Sequence, residues 1–425
     1  MADPLLLQKT LAKISRRLLP FLLLMYIMAF LDRSNLGFAK NAFQLDTGLS
    51  DAVYAFGAGV FFIGYAIFEI PSNLIMHRVG AKRWMFRIMV SWGLISSLMF
   101  FANNATTFYL FRFLLGAAEA GFFPGVIYYL TYWFPTRMRA RSVGIFYFGI
   151  PLSLIIGGPL SGSLLELDGL AGWKGWQWMF LVEGLMAVVV GIWAYWYLDS
   201  KPRDAKWLND EEKGAVEKML HDENSQKPGD APGSVLKTMG NRKVQYFCLI
   251  YFMIQICLYG VVYYLPAHIA MLTGEAIGLQ VGLITTIPWL FALLAAWLIP
   301  LMADKTGQRR WIAAGSLLLA AIGLVVTVAF DAPIPAIAGM CLATSGIIAA
   351  QPVFWTFPTS YLSGVAAAGG IAFINSMGTL GGFVAPNMKT WAEAEFNSAF
   401  AGMMVLATSA IIAAGLIYFA RKVVD

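Results

Sequence analysis

Long apolar segments alternate with short polar connections along the whole chain. A helix that crosses a bilayer needs about 20 mostly apolar residues, and segments of that length recur in both halves of the sequence. The pattern therefore predicts twelve spanning helices. In the first half they are expected at 18–40, 52–76, 84–103, 107–133, 140–165 and 175–198. In the second half they are expected at 244–272, 278–302, 311–330, 333–360, 365–388 and 397–420.

A hydrophilic stretch at 199–243, rich in Lys, Asp, Glu, Pro and Gly, separates the sixth and seventh segments. This break predicts an N-terminal six-helix bundle at 1–198, a cytoplasmic linker loop at 199–243 and a C-terminal six-helix bundle at 244–425. Within the linker, residues 209–220 have the pattern of an amphipathic surface helix. Residues 5–18 mix leucines with cations, which favours a short helix on the membrane surface.

The composition agrees with an all-α membrane protein. Hydrophobic residues make up 59% of the chain and charged residues only 13%, whereas a soluble domain carries about 25% charged residues. The three cysteines and three histidines are scattered without the spacing of metal ligands. We therefore expect no metal site and no cofactor.

The positive charges predict the orientation in the membrane. Most of the 30 Lys and Arg residues lie in segments that are cytoplasmic if the N-terminus is cytoplasmic, and an excess of Lys and Arg marks that side. Both termini are then cytoplasmic, as expected for a multi-pass protein of the inner (plasma) membrane. Because topology accounts for the net charge of +6, no nucleic-acid partner is expected.

An internal repeat links the two halves of the sequence. The second and eighth predicted segments are each followed by the pattern basic-x-Gly-x-basic-basic-Trp, at 78–84 and 305–311. A glycine permits a tight turn between helices, and cations anchor the turn at the membrane surface. Parallel repeats of this kind occur in a large class of transporters, with the substrate site between the halves. The candidate gating and structural residues of the repeat are Arg78, Gly80, Arg83, Asp304, Gly307, Arg309 and Arg310.

At these turns the chain resembles the major facilitator superfamily, whose loop signature is Gly-x-x-x-Asp-Arg/Lys-x-Gly-x-Arg-Arg. The second copy matches from Asp304 to Arg310, with Pro300 in place of the leading glycine. The first copy departs further, with Asn73 at the glycine position and His77 at the aspartate position. The resemblance implies twelve helices in two six-helix bundles and transport by alternating access.

Further motifs resemble the anion:cation symporter branch of that family, and within it the L-rhamnonate transporters of bacteria most of all. The matching stretches are Asp32-Arg33-Ser34-Asn35, Gly64-Tyr65, Arg112 with Gly116 and Glu119, and Gln351-Pro352-Val353-Phe354-Trp355-Thr356. Related members of the branch take galactonate, glucarate, tartrate or aromatic acids. The resemblance therefore implies a small organic acid anion as the substrate.

Among the ionisable residues inside predicted spans, four stand out, namely Asp32, Arg33, Arg112 and Glu119. Such residues are costly in a membrane and usually face a cavity or a partner. Arg33 or Arg112 would bind a substrate carboxylate through paired hydrogen bonds. Asp32 and Glu119 would carry protons, because an acid that loses its arginine partner to the substrate is protonated more easily. The resemblance implies the same roles. The alternative is a charge cluster that only locks helices together.

Around these charges the resemblance implies substrate contacts at Tyr65, Trp355 and Asn375. Gln255 and Tyr259 share a helix face at i, i+4 and are weaker candidates. By the same comparison, Phe30 and Ile150 replace polar residues of galactonate-type relatives. The pocket is then less polar, which favours a deoxy sugar acid such as L-rhamnonate.

The sequence thus predicts proton-coupled symport of an organic acid anion, an aldonate in particular, by a monomer. An exchanger or uniporter of a dicarboxylate or an aromatic acid on the same fold is the alternative. A receptor or channel also remains open, although the repeat and the few intramembrane charges favour alternating access. No nucleophile elbow or phosphate loop occurs, so an enzyme is not expected.

Overall fold

A computed structural model describes residues 4–225, 239–362 and 364–420, and these residues form helices joined by short connections, without a strand. For residues 4, 77, 136–137, 139–141, 143, 224–225 and 364–368 the description covers the backbone alone. The helices of the first half and the linker are α1 (Pro4–Thr47), α2 (Asp51–Val79), α3 (Ala81–Leu98), α4 (Ala105–Glu119), α5 (Phe122–Thr131), α6 (Thr136–Tyr147), α7 (Gly149–Leu165), α8 (Gly175–Tyr197) and α9 (Asp210–Ser225).

The second half begins after the linker and repeats the alternation of long helices and short turns. Its helices are α10 (Arg242–Thr273), α11 (Leu279–Thr306), α12 (Arg309–Ala329), α13 (Pro333–Tyr361), α14 (Gly364–Thr379), α15 (Gly381–Glu395) and α16 (Ala399–Phe419).

Eleven helical segments among the described residues are long and apolar enough to cross a membrane, and each coincides with a predicted span. The remaining prediction, 365–388, is occupied by two consecutive helices, α14 and α15, which meet at Leu380. The fourth predicted span also contains a break. There α4 ends at Glu119 and α5 begins at Phe122, because Gly121 has a left-handed backbone with φ of 85°, a conformation that glycine adopts without steric cost.

The turns of the internal repeat have the expected geometry. Gly80 has φ of 92° and Gly307 has φ of 69°, so both positions require the freedom of glycine. We call the face with these turns the inner face. The opposite face, which carries the connections at 48–50 and 166–174, is the outer face.

The prediction of a separate surface helix at 5–18 is wrong. These residues continue without a break into the first span as α1. Leu11 and Leu18 are buried, and Lys13 forms an ion pair with Glu212 of the linker helix α9, with 2.8 Å between Nζ and Oε2. The apolar side chains of this segment therefore pack against other parts of the protein and do not lie on the membrane surface. The amphipathic helix predicted in the linker is confirmed as α9.

A second contact fixes α9 and the segment before it to the first half. The Arg17 guanidinium lies 4.5 Å from the ring centre of Tyr197 and 4.9 Å from that of Trp207. Trp207 Nε1 also donates to Asp199 Oδ2 at 2.9 Å. The start of the linker is therefore bound to α1 and α8.

Three sets of helices join the two halves: α1 with α10, α2 with α14 and α15, and α7 with α11. The α7–α11 contact is made by glycines near the outer face. A Cβ atom added to Gly158 would lie 2.4 Å from the Gly282 carbonyl oxygen, and one added to Gly162 would lie 2.3 Å from that of Gly278. Small residues permit this close approach of helices in membranes. The exact bounds of the two bundles stay a prediction.

The outer surface of the helices is apolar, as expected next to lipid. On α11, for example, Leu290, Phe291, Leu294 and Trp297 are all exposed. A contiguous apolar surface of this kind is rare on soluble monomers, so it agrees with a chain embedded in a bilayer.

Candidate functional site

A narrow cavity lies between the two halves at the centre of the helices. Five of the predicted site residues line it: Arg33, Tyr65, Gln255, Tyr259 and Asn375. They come from α1, α2, α10 and α14, so both halves contribute. They were predicted on three different grounds, namely charge inside a span, resemblance to a family and spacing on a helix, and the fold brings them to one place.

Arg33 and Glu119 form a buried ion pair at this cavity. The Arg33 Nε donates to Glu119 Oε1 at 2.9 Å, and Arg33 Nη1 donates to the Tyr259 hydroxyl at 2.9 Å. The guanidinium also lies 5.1 Å from the ring centre of Tyr65. Both charged side chains are less than a tenth exposed. Glu119 Oε2 has no hydrogen-bond partner within the described part of the chain, so the acid is only half satisfied.

Arg112 is directed away from the cavity. It lies on α4, seven residues before Glu119. Its guanidinium, however, donates to the carbonyl oxygens of Gly57 and Ala58 on α2, at 3.4 and 3.2 Å, and it does not line the cavity. Gly116 permits the close contact, because a Cβ there would lie 1.9 Å from the Phe61 carbonyl oxygen. Arg112 thus joins α4 to α2 in this conformation.

Asp32 is also separated from the cavity. Its two oxygens accept hydrogen bonds from Trp92 Nε1 at 2.8 Å and from Ser96 Oγ at 2.9 Å, both on α3. Adjacent residues on a helix diverge by about 100°, which accounts for Asp32 facing α3 while Arg33 faces the cavity. Asp32 is 1% exposed, and its hydrogen-bond donors are neutral.

Tyr251 is a cavity residue that the sequence reasoning missed. Predicted Trp355 is half-buried and does not itself line the cavity; it packs edge-on against the Tyr251 ring, with ring centres 4.9 Å apart. Tyr251, Gln255 and Tyr259 lie at i, i+4 and i+8, so they form one stripe of α10. That spacing is the signal that could have found Tyr251.

The rest of the lining is part polar and part apolar. Phe30 and Ile150, the two positions noted as less polar than in related chains, both line the cavity. The other lining residues are Tyr26, Phe123, Tyr147, Leu258, Gln351 and Thr379. The walls of the cavity therefore offer both hydrogen-bonding groups and apolar surface.

Asn375 is held by a carboxyl group that crosses between the halves. Its Nδ2 donates to Glu69 Oε1 on α2 at 2.7 Å, and the neighbouring Ser376 Oγ donates to Glu69 Oε2. This contact joins residues about 300 positions apart, and nothing in the local sequence indicates it.

The repeated turns lie at the inner face, away from the cavity. Arg309 Nη2 donates to Asp304 Oδ1 at 2.8 Å, and both side chains are exposed. Arg310 lies over the Trp311 ring. Arg78 and Arg83 of the first copy are exposed. The gating role predicted for these residues stays a prediction.

Comparison with known proteins gives matches over nearly the whole chain. A sequence model of the Major Facilitator Superfamily matches residues 22–386. The chain is 46% identical to the inner membrane transport protein RhmT of Escherichia coli strain K12 over 405 residues, which are 95% of this chain and 94% of the relative. It is 42% identical to a putative tartrate transporter of Agrobacterium vitis over 409 residues, which are 96% and 94% of the two chains.

A solved structure supports the fold independently. A bacterial homologue of the human lysosomal transporter Spinster, in an inward-facing and unoccupied conformation, superposes with a TM-score of 0.74. The superposition covers 96% of each chain at 16% sequence identity. At that identity the likeness concerns the fold alone.

Proposed function

We propose that this chain, which belongs to the major facilitator superfamily, imports a small organic acid anion together with protons. Members of this family are membrane transporters and not enzymes. One observation carries the proposal: a buried arginine, Arg33, lines the central cavity and is paired with a buried acid, Glu119, whose second oxygen has no partner among the described residues. The pair supplies both an anion-binding group and a proton-binding group.

The coupling follows from competition for Arg33. A substrate carboxylate that takes hydrogen bonds from the guanidinium removes them from Glu119. A buried carboxylate left without its cation is destabilised by about 3–5 kcal/mol, so it takes a proton from solution. The anion then binds Arg33 while the proton binds a Glu119 oxygen, and the site gains no net charge. When the anion leaves, Arg33 returns to Glu119 and the proton is released.

Asp32 is the second proposed proton carrier. It lies beside Arg33 in sequence, but its oxygens accept from the neutral donors Trp92 and Ser96. Binding of a proton at Asp32 does not compete directly with the substrate for Arg33. We therefore expect Asp32 to affect the movement of α1 against α3 more than the affinity for the anion.

The proposed substrate is a monocarboxylic sugar acid, an aldonate such as L-rhamnonate. The relatives support an organic acid in general, since two of them are named as putative tartrate transporters. Arg33 is the one cation of the described residues that lines the cavity, because Arg112 is held by main-chain oxygens. A single cation favours one carboxylate over the two of tartrate. Phe30 and Ile150 suit an apolar methyl group, while Gln255 and Asn375 suit hydroxyl groups.

The remaining parts of the proposal concern the membrane and the assembly. We propose an inner (plasma) membrane location with both termini cytoplasmic and a functional monomer. RhmT, which is similar along nearly its whole length, is named as an inner membrane protein. The alternative of exchange without protons uses the same cavity, and the transport assay distinguishes the two.

The test is uptake of labelled L-rhamnonate into proteoliposomes with an imposed inward proton gradient, in competition with galactonate, tartrate and 4-hydroxyphenylacetate. We expect accumulation that an uncoupler abolishes. Glu119→Gln and Asp32→Asn should still exchange labelled for unlabelled substrate but should not accumulate it. Glu183→Gln is the matched control, because it also removes a buried carboxyl group, one that accepts from Ser161 and lies away from the cavity. Proton-driven accumulation at the unsubstituted level in both variants would refute the coupling assignment.

A further inference from the structure

A third buried acid lies at the contact between the two halves. Glu69 of α2 is fully buried and faces α14 of the second half. Asn375 Nδ2 donates to its Oε1 at 2.7 Å, and Ser376 Oγ donates to its Oε2. Both oxygens are therefore used in bonds from one half of the protein to the other.

The position of Glu69 along its helix places it in the inner half of the fold. It lies ten residues from the inner end of α2 at Val79 and eighteen from the outer end at Asp51. Asn375 lies eleven residues from the inner end of α14 at Gly364. When the halves separate at the inner face, this contact must break, and water from that side reaches the carboxyl group.

The surroundings of Glu69 provide hydrogen bonds but no counter-charge. It forms no ion pair with any described residue. The groups that act on it are Asn375 and Ser376 from α14, Arg33 from α1 and Tyr65 from its own helix. Of these only Arg33 is charged, and it is paired with Glu119. The other helices packed on α2, namely α3, α4, α5 and α15, bring no ionised described side chain against it.

A buried carboxylate that has only neutral donors is poorly stabilised. A protonated carboxyl group suits the same geometry, because one oxygen accepts from Asn375 while the other, as O–H, donates to the Ser376 hydroxyl, which can also accept. The closed contact therefore favours the neutral acid, whereas contact with water favours the ionised acid.

We propose that Glu69 is a third proton-binding site, which holds a proton while it joins the two halves and releases it to water when they separate at the inner face. On separation the two hydrogen bonds to α14 break, and the proton passes from the carboxyl oxygen to solvent. Since Asn375 lines the cavity, the same bond also orients an amide toward the ligand. The inference rests on the alternating access that the family resemblance implies, and on no particular substrate.

The test measures the opening of the inner face without substrate. Spin labels are placed at Val79→Cys on α2 and Ser360→Cys on α13, both exposed, in the full chain in lipid nanodiscs. The three buried native cysteines are first replaced by alanine. The distance distribution is recorded between pH 5 and pH 9. If opening releases one proton, the ratio of open to closed populations rises about tenfold per pH unit.

Substitutions separate Glu69 from other acids. Glu69→Gln should lower the slope of the logarithm of this ratio against pH by about one. Ser376→Ala keeps the acid but removes a hydrogen bond, so it should raise the open population roughly two- to tenfold at every pH. Glu183→Gln, an equally buried acid bonded within its own half, should keep the unsubstituted slope.

An unchanged slope in Glu69→Gln overturns the proposal, and so does the absence of any pH dependence in the unsubstituted chain. The result is independent of the transport assay. Loss of proton-driven uptake with a retained Glu69 slope would overturn the symport proposal alone. Proton-driven uptake with no Glu69 effect would overturn this inference alone.

Discussion

The contact between α7 and α11 near the outer face allows a sharp test of how the halves move. At Gly158 an added methyl group would lie 2.4 Å from the Gly282 carbonyl oxygen. An ordinary contact between such atoms is about 1 Å longer, and main-chain atoms of two rigid helices cannot rotate out of the way. Gly158→Ala should therefore push the outer ends of α7 and α11 apart.

The expected size of the effect follows from overpacking. Extra atoms in a well-packed contact cost about 1–3 kcal/mol. Because the substitution destabilises only conformations in which the outer face is closed, the equilibrium should shift toward outer-open conformations by roughly 5- to 150-fold. Alanine also stabilises a helix slightly relative to glycine, but this effect is the same in all conformations of the protein and does not shift the equilibrium between them.

The assay is the distance between spin labels at Leu45→Cys and Phe396→Cys, two exposed positions at the outer ends of opposite halves. We expect a longer mean distance in Gly158→Ala together with slower uptake. The control is Gly315→Ala on α12, where an added methyl group meets no atom within 4 Å. Identical distance distributions in the two variants would refute the reasoning. They would mean that the outer face closes as readily with the added methyl group at position 158 as without it.

Three further predictions concern single side chains. Arg33→Lys keeps the charge but cannot maintain bonds to both Glu119 and Tyr259, so initial uptake at low substrate concentration should fall roughly ten- to hundredfold. An unchanged uptake rate would contradict the assignment of Arg33 as the group that binds the substrate carboxylate. Ile150→Gln adds an amide at the cavity and should raise the ratio of galactonate uptake to rhamnonate uptake roughly two- to tenfold. An unchanged ratio would mean that the bound substrate does not contact position 150. The hydrogen bond from Lys13 lowers the pKa of Glu212, so the pair stabilises the fold above the ordinary glutamate pKa and the stabilisation is lost as the pH falls below it. Melting temperatures of the unsubstituted chain and Glu212→Gln should therefore differ slightly at pH 7, by the equivalent of at most about 1 kcal/mol, and converge near pH 3; a constant difference would contradict the assignment.

The spanning helices could be predicted because a bilayer imposes one requirement, a long apolar run, that a single sequence displays directly. Interruptions within a span are less visible. The breaks at Gly121 and Leu380 lie within apolar runs and are not marked by a polar connection, because they depend on main-chain angles and on packing. The continuation of α1 to Pro4 was missed for a related reason, because its partner Glu212 is far away in the chain.

The candidate charges were also accessible from sequence, since ionised residues in a membrane span are rare and costly. The sequence did not show, however, which neighbouring helix each of these side chains faces. Arg112 meets main-chain carbonyl oxygens of α2, and Asp32 meets a tryptophan and a serine of α3. These partners are set by how helices distant in sequence pack together. Glu69 illustrates the limit, because its two donors lie more than 300 positions away.

The attachment of the linker helix α9 to the first half has a mechanical consequence. Lys13, Arg17 and Trp207 bind the start of the linker to α1 and α8, so α9 must travel with the first half as one body. Residues 226–241 then connect α9 to α10 of the second half along the chain. A chain of that length can reach at most about 55 Å when fully extended, far more than helices in contact need in order to rock apart. Under alternating access, the length of this connection would therefore not limit how far the two halves move apart, whereas the contacts between helices would.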